Sequence, residues 1–231
     1  MTDVTIDWDD FLNFTPKQKA AKRAMKKYDY LLYGGTRGAG KSYLLRYMAV
    51  DYLVELAEHG VHKPVVTIAA ETYPALMGRQ VVKVLTEFPD WLGHMANSRA
   101  LQMAYVLNEE FGGGIILFRN LDNQQNKIGI ETAAMFVDQI ENITESTFHM
   151  IMGNMRWPGV ERPKLVATSN PGGIGGQWVK AYWIQKHLPS YMNSIKDQFY
   201  FIKATPSDNP HLPKSYWNML DSLPPHLRHA W

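Results

Sequence analysis

Residues Gly35-Thr36-Arg37-Gly38-Ala39-Gly40-Lys41-Ser42 fit the pattern G-x-x-x-x-G-K-[ST]. Glycines at this spacing let backbone N–H groups turn inward into an anion-binding nest. The helix that follows adds the partial positive charge of its N-terminus. Gly35, Thr36, Gly38, Ala39 and Gly40 would form the cradle, Lys41 would reach the β- and γ-phosphates of a nucleotide, and the Ser42 hydroxyl would ligate Mg²⁺. Arg37, inside the loop, is either a second cation for the γ-phosphate or a solvated side chain. The alternative to the whole reading is a chance glycine turn before a helix.

Phosphoryl chemistry at such a loop also needs a carboxylate at a neighbouring strand end and a group that handles the attacking water. Met135-Phe136-Val137 is an apolar run that ends in Asp138. Asp138 is therefore the candidate for the magnesium shell, or else an ordinary strand-ending turn residue. Where a glutamate would usually come next stands Gln139, which can orient a water but cannot accept its proton. Glu141, two positions on, is either the catalytic carboxylate or a solvated residue ahead of a helix cap. Thr168, Ser169 and Asn170 close a further strand and place small hydroxyl and amide groups where they could sense a γ-phosphate. A capped turn at Asn170-Pro171-Gly172 explains the same residues.

The surrounding pattern supplies elements to hold these groups. Thr15-Pro16 reads as an N-cap followed by proline at the first helical position, opening a basic helix through about Lys27. Tyr30 to Tyr33 reads as a buried strand broken by Gly34-Gly35, with a helix from Lys41 to about Glu58 after it. Val65 to Ala70 is a second buried strand, and Pro74 to Phe88 a crossover helix. Met103–Leu107 and Gly114–Phe118 form an expected hairpin. Further strands are expected at 133–137, 165–168 and 199–203, with helices from Thr144 to about Met155 and around Trp178 to His187. Strands alternating with helices imply an α/β fold with a mainly parallel sheet covered on both faces. Residues 1–204 read as one domain and 205–231, rich in proline, as a closing segment or the start of a linker.

Composition excludes several classes. The 231 residues carry 24 Lys+Arg against 22 Asp+Glu, a net charge of +2, so any nucleic-acid contact must come from a local patch. With no cysteine there is no disulfide framework, thiolate zinc site, iron–sulfur cluster or cysteine nucleophile. The acidic start, with Asp3, Asp7, Asp9 and Asp10, is unlike a signal peptide, and no apolar run approaches the ~18 residues of a membrane helix. The expectation is a soluble cytoplasmic chain without membrane contact. His59/His62 and His226/His229 are spaced three apart, but neither pair has a third ligand near in sequence. Lys17, Lys19, Lys22, Arg23, Lys26 and Lys27 read as a solvated helix face rather than a DNA-contacting patch.

Taken together, the motifs resemble the ATPase domain of the tailed-bacteriophage terminase large subunit, over nearly all of the chain. Phe14-Thr15-Pro16-Lys17-Gln18 resembles that family's adenine-recognising motif, which implies that Gln18 reads the base. The loop Gly34–Ser42 resembles its P-loop, arginine included. Phe136 to Glu141, followed by Thr144, Phe148 and Asn154-Met155-Arg156, resembles its acidic motif and helix, although the family more often has Asp-Glu where this chain has Asp138-Gln139. Ala167 to Gly173 resembles its coupling motif, and Ala204 to Trp231 the stretch that closes the domain.

The resemblance implies a P-loop NTPase three-layer sandwich of the additional-strand, catalytic-glutamate type. It also implies ATP and Mg²⁺ at the site, double-stranded DNA as the translocated partner, and a homo-oligomeric ring, pentameric in the family. A portal protein and a small terminase subunit would be partners in the host cytoplasm. The family's nuclease half lies outside this sequence, so no DNA cleavage is expected from it. In this family a neighbouring subunit can supply an arginine to the γ-phosphate; the candidates are Arg119, Arg156, Arg99 and Arg162. Two other readings compete with the DNA-translocating motor: a helicase-type ATPase, and a nucleotide-dependent assembly module that binds ATP without hydrolysing it, which Gln139 would suit.

Overall fold

The computed structural model describes residues 7–98, 102–122 and 131–224. Among these, a short helix α1 (Trp8–Leu12) precedes α2 (Pro16–Lys27), which is closed by a complete capping box. The Thr15 hydroxyl accepts from the Gln18 N–H while the Gln18 side chain accepts from the Thr15 N–H, so two otherwise orphaned donors are satisfied. Strand β1 (Tyr30–Gly35) leads through the glycine loop into α3 (Lys41–Glu58), and β2 (Val65–Ala70) follows. Next come α4 (Tyr73–Leu76), a π-helical turn over Met77–Val81 and α5 (Val82–Glu87). The crossover helix read from the sequence is thus continuous in space but widened in its middle.

Strands β3 (Gly93–Ser98), β4 (Gln102–Leu107) and β5 (Ile115–Asn120) form an antiparallel meander. After them come β6 (Ala134–Asp138), α6 (Glu145–Met152), β7 (Lys164–Ser169), α7 (Gly176–Val179) with its π-helical continuation Lys180–Ile184, β8 (Phe199–Ala204) and α8 (Lys214–Ser222). The sheet order is β3-β4-β5-β2-β6-β7-β1-β8, and β5, β2, β6, β7, β1 and β8 run parallel. Strand β7 intervenes between β1 and β6, as the additional-strand arrangement requires. Strand β3 is absent from the sequence reading. It is an edge strand of composition Gly-His-Met-Ala-Asn-Ser, and a strand paired on one side only has no need of an apolar run.

Alternation along the parallel strands builds a core on each face of the sheet. Leu31, Tyr33, Val66, Ile68, Phe136 and Val166 face one cluster under α2, α3 and the α4–α5 helix. Leu32, Met135, Val137, Leu165, Ala167 and Phe199 face the other, beneath α6 and α7. In the second cluster Phe148 of α6 lies within ring contact of Trp178, Tyr182, Trp183 and Phe199. Both buried tryptophans satisfy their indole N–H, Trp178 on the Ile143 carbonyl at 3.1 Å and Trp183 on that of Tyr30 at 2.9 Å. Among the described residues no helix is long and apolar enough to cross a membrane.

Because all the parallel strands point their carboxyl ends the same way, Gly35, Asp138 and Ser169 emerge along one edge of the sheet. Phe148 is fully buried at the centre of the aromatic cluster that supports this edge from below. Replacing it, Phe148→Ala, is expected to destabilise the domain by about 3–5 kcal/mol in urea unfolding; an unchanged midpoint would contradict the packing described.

Candidate functional site

The glycine loop takes a conformation that only its glycines permit. Gly35 has φ of +148°, and a Cβ there would come within 1.8 Å of the Ala204 carbonyl oxygen on the adjacent strand. Gly40 sits in the left-handed region at φ +70° and opens α3. Lys41, the first residue of α3, folds back so that its ammonium donates to the carbonyls of Thr36 at 2.5 Å and Gly35 at 3.2 Å. Burial lowers the Lys41 pKa to about 8, and the charges of Glu141 and Asp138 only partly restore it. Ala39 is buried beneath the loop and Arg37 is exposed on its outer surface, where its charge reaches both Lys41 and Tyr216.

The loop is braced from both sides. Gln18 donates its amide N–H to the Gly40 carbonyl at 3.1 Å while its oxygen serves the capping box, so both ends of the carboxamide expected to read adenine are engaged here. Asn209 donates to the Gly38 carbonyl at 2.7 Å, and the Tyr216 ring of α8 covers Gly38. The stretch after residue 204, expected as a closing segment, therefore packs directly on the phosphate loop. Next to Gln18 lies a cavity of about 220 Å³ lined by Asn13, Thr15, Tyr43, Asn209 and His211.

Asp138 ends β6 with 1% of its surface exposed and gathers the other elements around it. Its Oδ1 accepts from Ser42 Oγ at 3.1 Å and from Thr168 Oγ1 at 2.8 Å, while its Oδ2 pairs with Arg79 Nε at 3.1 Å. The next residue, Gln139, is left-handed at φ +58° and donates its N–H to Thr168 Oγ1. Its side-chain oxygen accepts from Arg79 at 2.8 Å and from Asn142 at 3.1 Å. This holds Gln139 away from the loop.

Glu141 is placed differently. It is 3% exposed, its Oε1 accepts from Asn170 Nδ2 at 3.1 Å, and its Oε2 is buried without a hydrogen-bond partner among the described residues. Burial raises its pKa, against the opposing hydrogen bonds from Asn170. Gly175 N–H donates to the Glu141 carbonyl at 2.8 Å, and Gly173 packs so closely on Glu141 that a Cβ would come within 2.4 Å of its carbonyl oxygen. The segment Thr168-Ser169-Asn170 thus touches both carboxylates, Thr168 holding Asp138 and Asn170 holding Glu141, while Ser169 donates to the Asn170 carbonyl.

A family model for the phage terminase large subunit matches residues 26–225. The chain belongs to that family. Its fold, a mainly parallel sheet of the P-loop NTPase type, is that of the ATPase domains of large terminases. The fold is similar to the large terminase of a thermophilic bacteriophage, with 18% identity and a TM-score of 0.65 over 90% of this chain and 50% of that one. The same phage enzyme in complex with ATP-γ-S matches at 19% identity and a TM-score of 0.61, covering 89% of this chain and 48% of that one. The large terminase ATPase domain of Thermus phage P74-26 matches at 17% identity and 0.62, covering 96% and 94%. The terminase domain spans about half the length of the first two of these chains. No curated relative matches the sequence.

The arginines named as candidates for a neighbouring subunit's site sit in different parts of the chain. Arg119 is the penultimate residue of β5, at the carboxyl end of the sheet, and is buried, with Nη1 donating to the Phe118 carbonyl at 2.8 Å and burial lowering its pKa. Arg156 lies near the opposite edge, by the start of β6, and pairs with Glu131 at 2.9 Å; Arg162 pairs with Asp29 before β1. Arg99 lies outside the described residues, as do His226 and His229. Among the described residues no His/Asp/Glu cluster is suited to a metal on its own. Of the α2 lysines, Lys22 pairs with the buried Asp51 at 2.8 Å and the exposed Lys26 with Glu55 at 3.6 Å. Arg79 is the residue that motif reading missed.

The lowered Lys41 pKa has a measurable consequence. Phosphate oxygens beside the ammonium favour its charged form, so nucleotide binding above about pH 8 must take up protons. At pH 8.5 the uptake is expected to approach roughly three quarters of a proton, and to fall to about a tenth at pH 7. Calorimetry in buffers of different ionisation enthalpy reads this directly; no uptake at pH 8.5 would contradict the burial of Lys41.

Proposed function

We propose that the terminase domain hydrolyses MgATP and, in a ring of identical subunits, couples that reaction to translocation of double-stranded DNA into a procapsid. The observation that carries the reading is the buried, unpartnered Glu141 Oε2, poised at the phosphate loop and held from behind by Asn170 of the coupling segment. A carboxylate in that state accepts a proton from water better than an exposed one, because burial moves its pKa toward neutrality.

In this mechanism the backbone N–H groups of residues 35–42 cradle the phosphates, and Lys41 exchanges the Gly35 and Thr36 carbonyls for phosphate oxygens. Ser42 and Asp138, hard oxygen donors already hydrogen-bonded to each other, would hold Mg²⁺, which binds through few protein oxygens together with substrate phosphates. Magnesium would offset charge on the β- and γ-phosphates. Glu141 orients the attacking water and takes its proton, and Arg37 offsets charge at the γ-phosphate from the loop's exposed side. The cavity beside Gln18 receives the base. Since Asn170 donates to Glu141 and Thr168 to Asp138, a change at either carboxylate on phosphate release pulls on the segment that follows β7. A portal protein and a small terminase subunit are the partners that membership of the family suggests.

Steady-state ATP hydrolysis is expected to rise faster than linearly with protein concentration and to increase further on adding double-stranded DNA. Lys41→Ala should abolish it together with nucleotide binding. Tight ATP binding with no turnover at any concentration, with or without DNA, would instead make this a nucleotide-dependent assembly module.

A further inference from the structure

Arg79 reaches the site from the crossover helix, and its aim is set by several separate contacts. It lies within the π-helical turn Met77–Val81, where one extra residue per turn changes the direction in which the helix presents its side chains. That turn is fixed by Arg46 of α3, a side chain only 4% exposed. Arg46 donates to the Arg79 carbonyl at 3.0 Å and to the Gln80 side chain at 3.3 Å, and forms a two-pronged pair with Glu87 at 2.7–3.0 Å. The phosphate-loop helix therefore holds the backbone from which Arg79 projects.

The Arg79 guanidinium then spans three acceptors. Nε lies 3.1 Å from Asp138 Oδ2 in an ion pair without hydrogen-bond alignment, Nη1 donates to Gln139 Oε1 at 2.8 Å and to Glu71 Oε1 at 3.1 Å, and Nη2 donates to Glu71 Oε2. Glu71 follows β2 directly, and Asn142 bridges Gln139 and Glu71 from the other side. The planar fork donates to Gln139 and Glu71 at once while its charge faces Asp138, a combination a lysine point charge does not reproduce.

We infer that Arg79 is a positioning residue of the nucleotide site. It holds the Asp138 carboxylate toward Ser42 and ties down the Gln139 carboxamide, so that Glu141 alone is presented to the γ-phosphate. The inference rests on the proposed nucleotide site and deepens it. Residues that orient a metal-binding carboxylate from behind typically change metal affinity by about 10- to 100-fold when removed.

The test is binding of a fluorescent ADP analogue to this chain, titrated with Mg²⁺ and repeated in EDTA. Arg79→Ala is expected to raise the Mg²⁺ concentration for half-maximal binding about 10- to 100-fold while leaving the affinity in EDTA within about twofold. Arg79→Lys, which keeps the charge and the fold but not the fork, is expected to lie between the two and serves if the alanine variant does not fold. A lowered melting temperature with an unchanged Mg²⁺ profile in both variants would reduce Arg79 to a structural role and overturn the inference. Lys41→Ala separates the two claims. If it still binds the analogue in EDTA, the nucleotide site itself is wrong; if it does not, and the Arg79 variants keep the parent's Mg²⁺ profile, only the role of Arg79 falls.

Discussion

A carboxylate buried to 1% exposure needs partners on every side, and Asp138 finds them on three different elements. Ser42 comes from the phosphate-loop helix, Thr168 from the neighbouring strand and Arg79 from the crossover helix. Removing one partner from a buried charge pair typically costs about 3–5 kcal/mol, so these contacts fix the positions of all three elements. The parallel register of β1, β6 and β7 brings Gly34, Asp138 and Ser169 to the same edge, and the side-chain contacts to Asp138 then lock that edge. The phosphate loop, the acidic strand end and the coupling segment form one hydrogen-bonded unit.

That unit also sends the two side chains after Asp138 in different directions. A left-handed backbone at Gln139 turns its side chain toward Arg79 and Asn142, while the short turn beyond it carries Glu141 to the other side, against Asn170 and the glycine-rich segment. A glutamate displaced by two positions can therefore stand in the place that the commoner Asp-Glu sequence would fill directly. The close packing of Gly173 and Gly175 on the 141–143 backbone leaves no room for side chains there. The Glu141 backbone and that loop are therefore in direct contact, with the Gly175 N–H donating to the Glu141 carbonyl at 2.8 Å.

Much of this was legible in the sequence because it is local. The glycine loop is fixed by spacing alone, the Thr15 cap by the proline that follows it, and Asp138 by the apolar run it ends. Apolar runs at β1, β2, β6 and β7, separated by helical stretches, made the two-faced sheet readable. What could not be read depends on contacts between residues far apart in sequence. Met77-Gly78-Arg79-Gln80-Val81 looks like ordinary helix, and the π-helical turn that aims Arg79 is stabilised by Arg46 and Glu87 from outside it. Strand β3 is polar because it lies at an edge.

The central claim is that Glu141, not Gln139, handles the attacking water. Single-turnover hydrolysis of prebound ATP in Glu141→Gln and Gln139→Ala tests it most directly, because binding is separated from chemistry. Loss of a general base typically costs about 10²- to 10⁴-fold. The account predicts a loss of that size in Glu141→Gln with ATP affinity retained, and a change of less than about tenfold in Gln139→Ala. The opposite pattern, with Gln139→Ala inactive and Glu141→Gln near the parent rate, would contradict it.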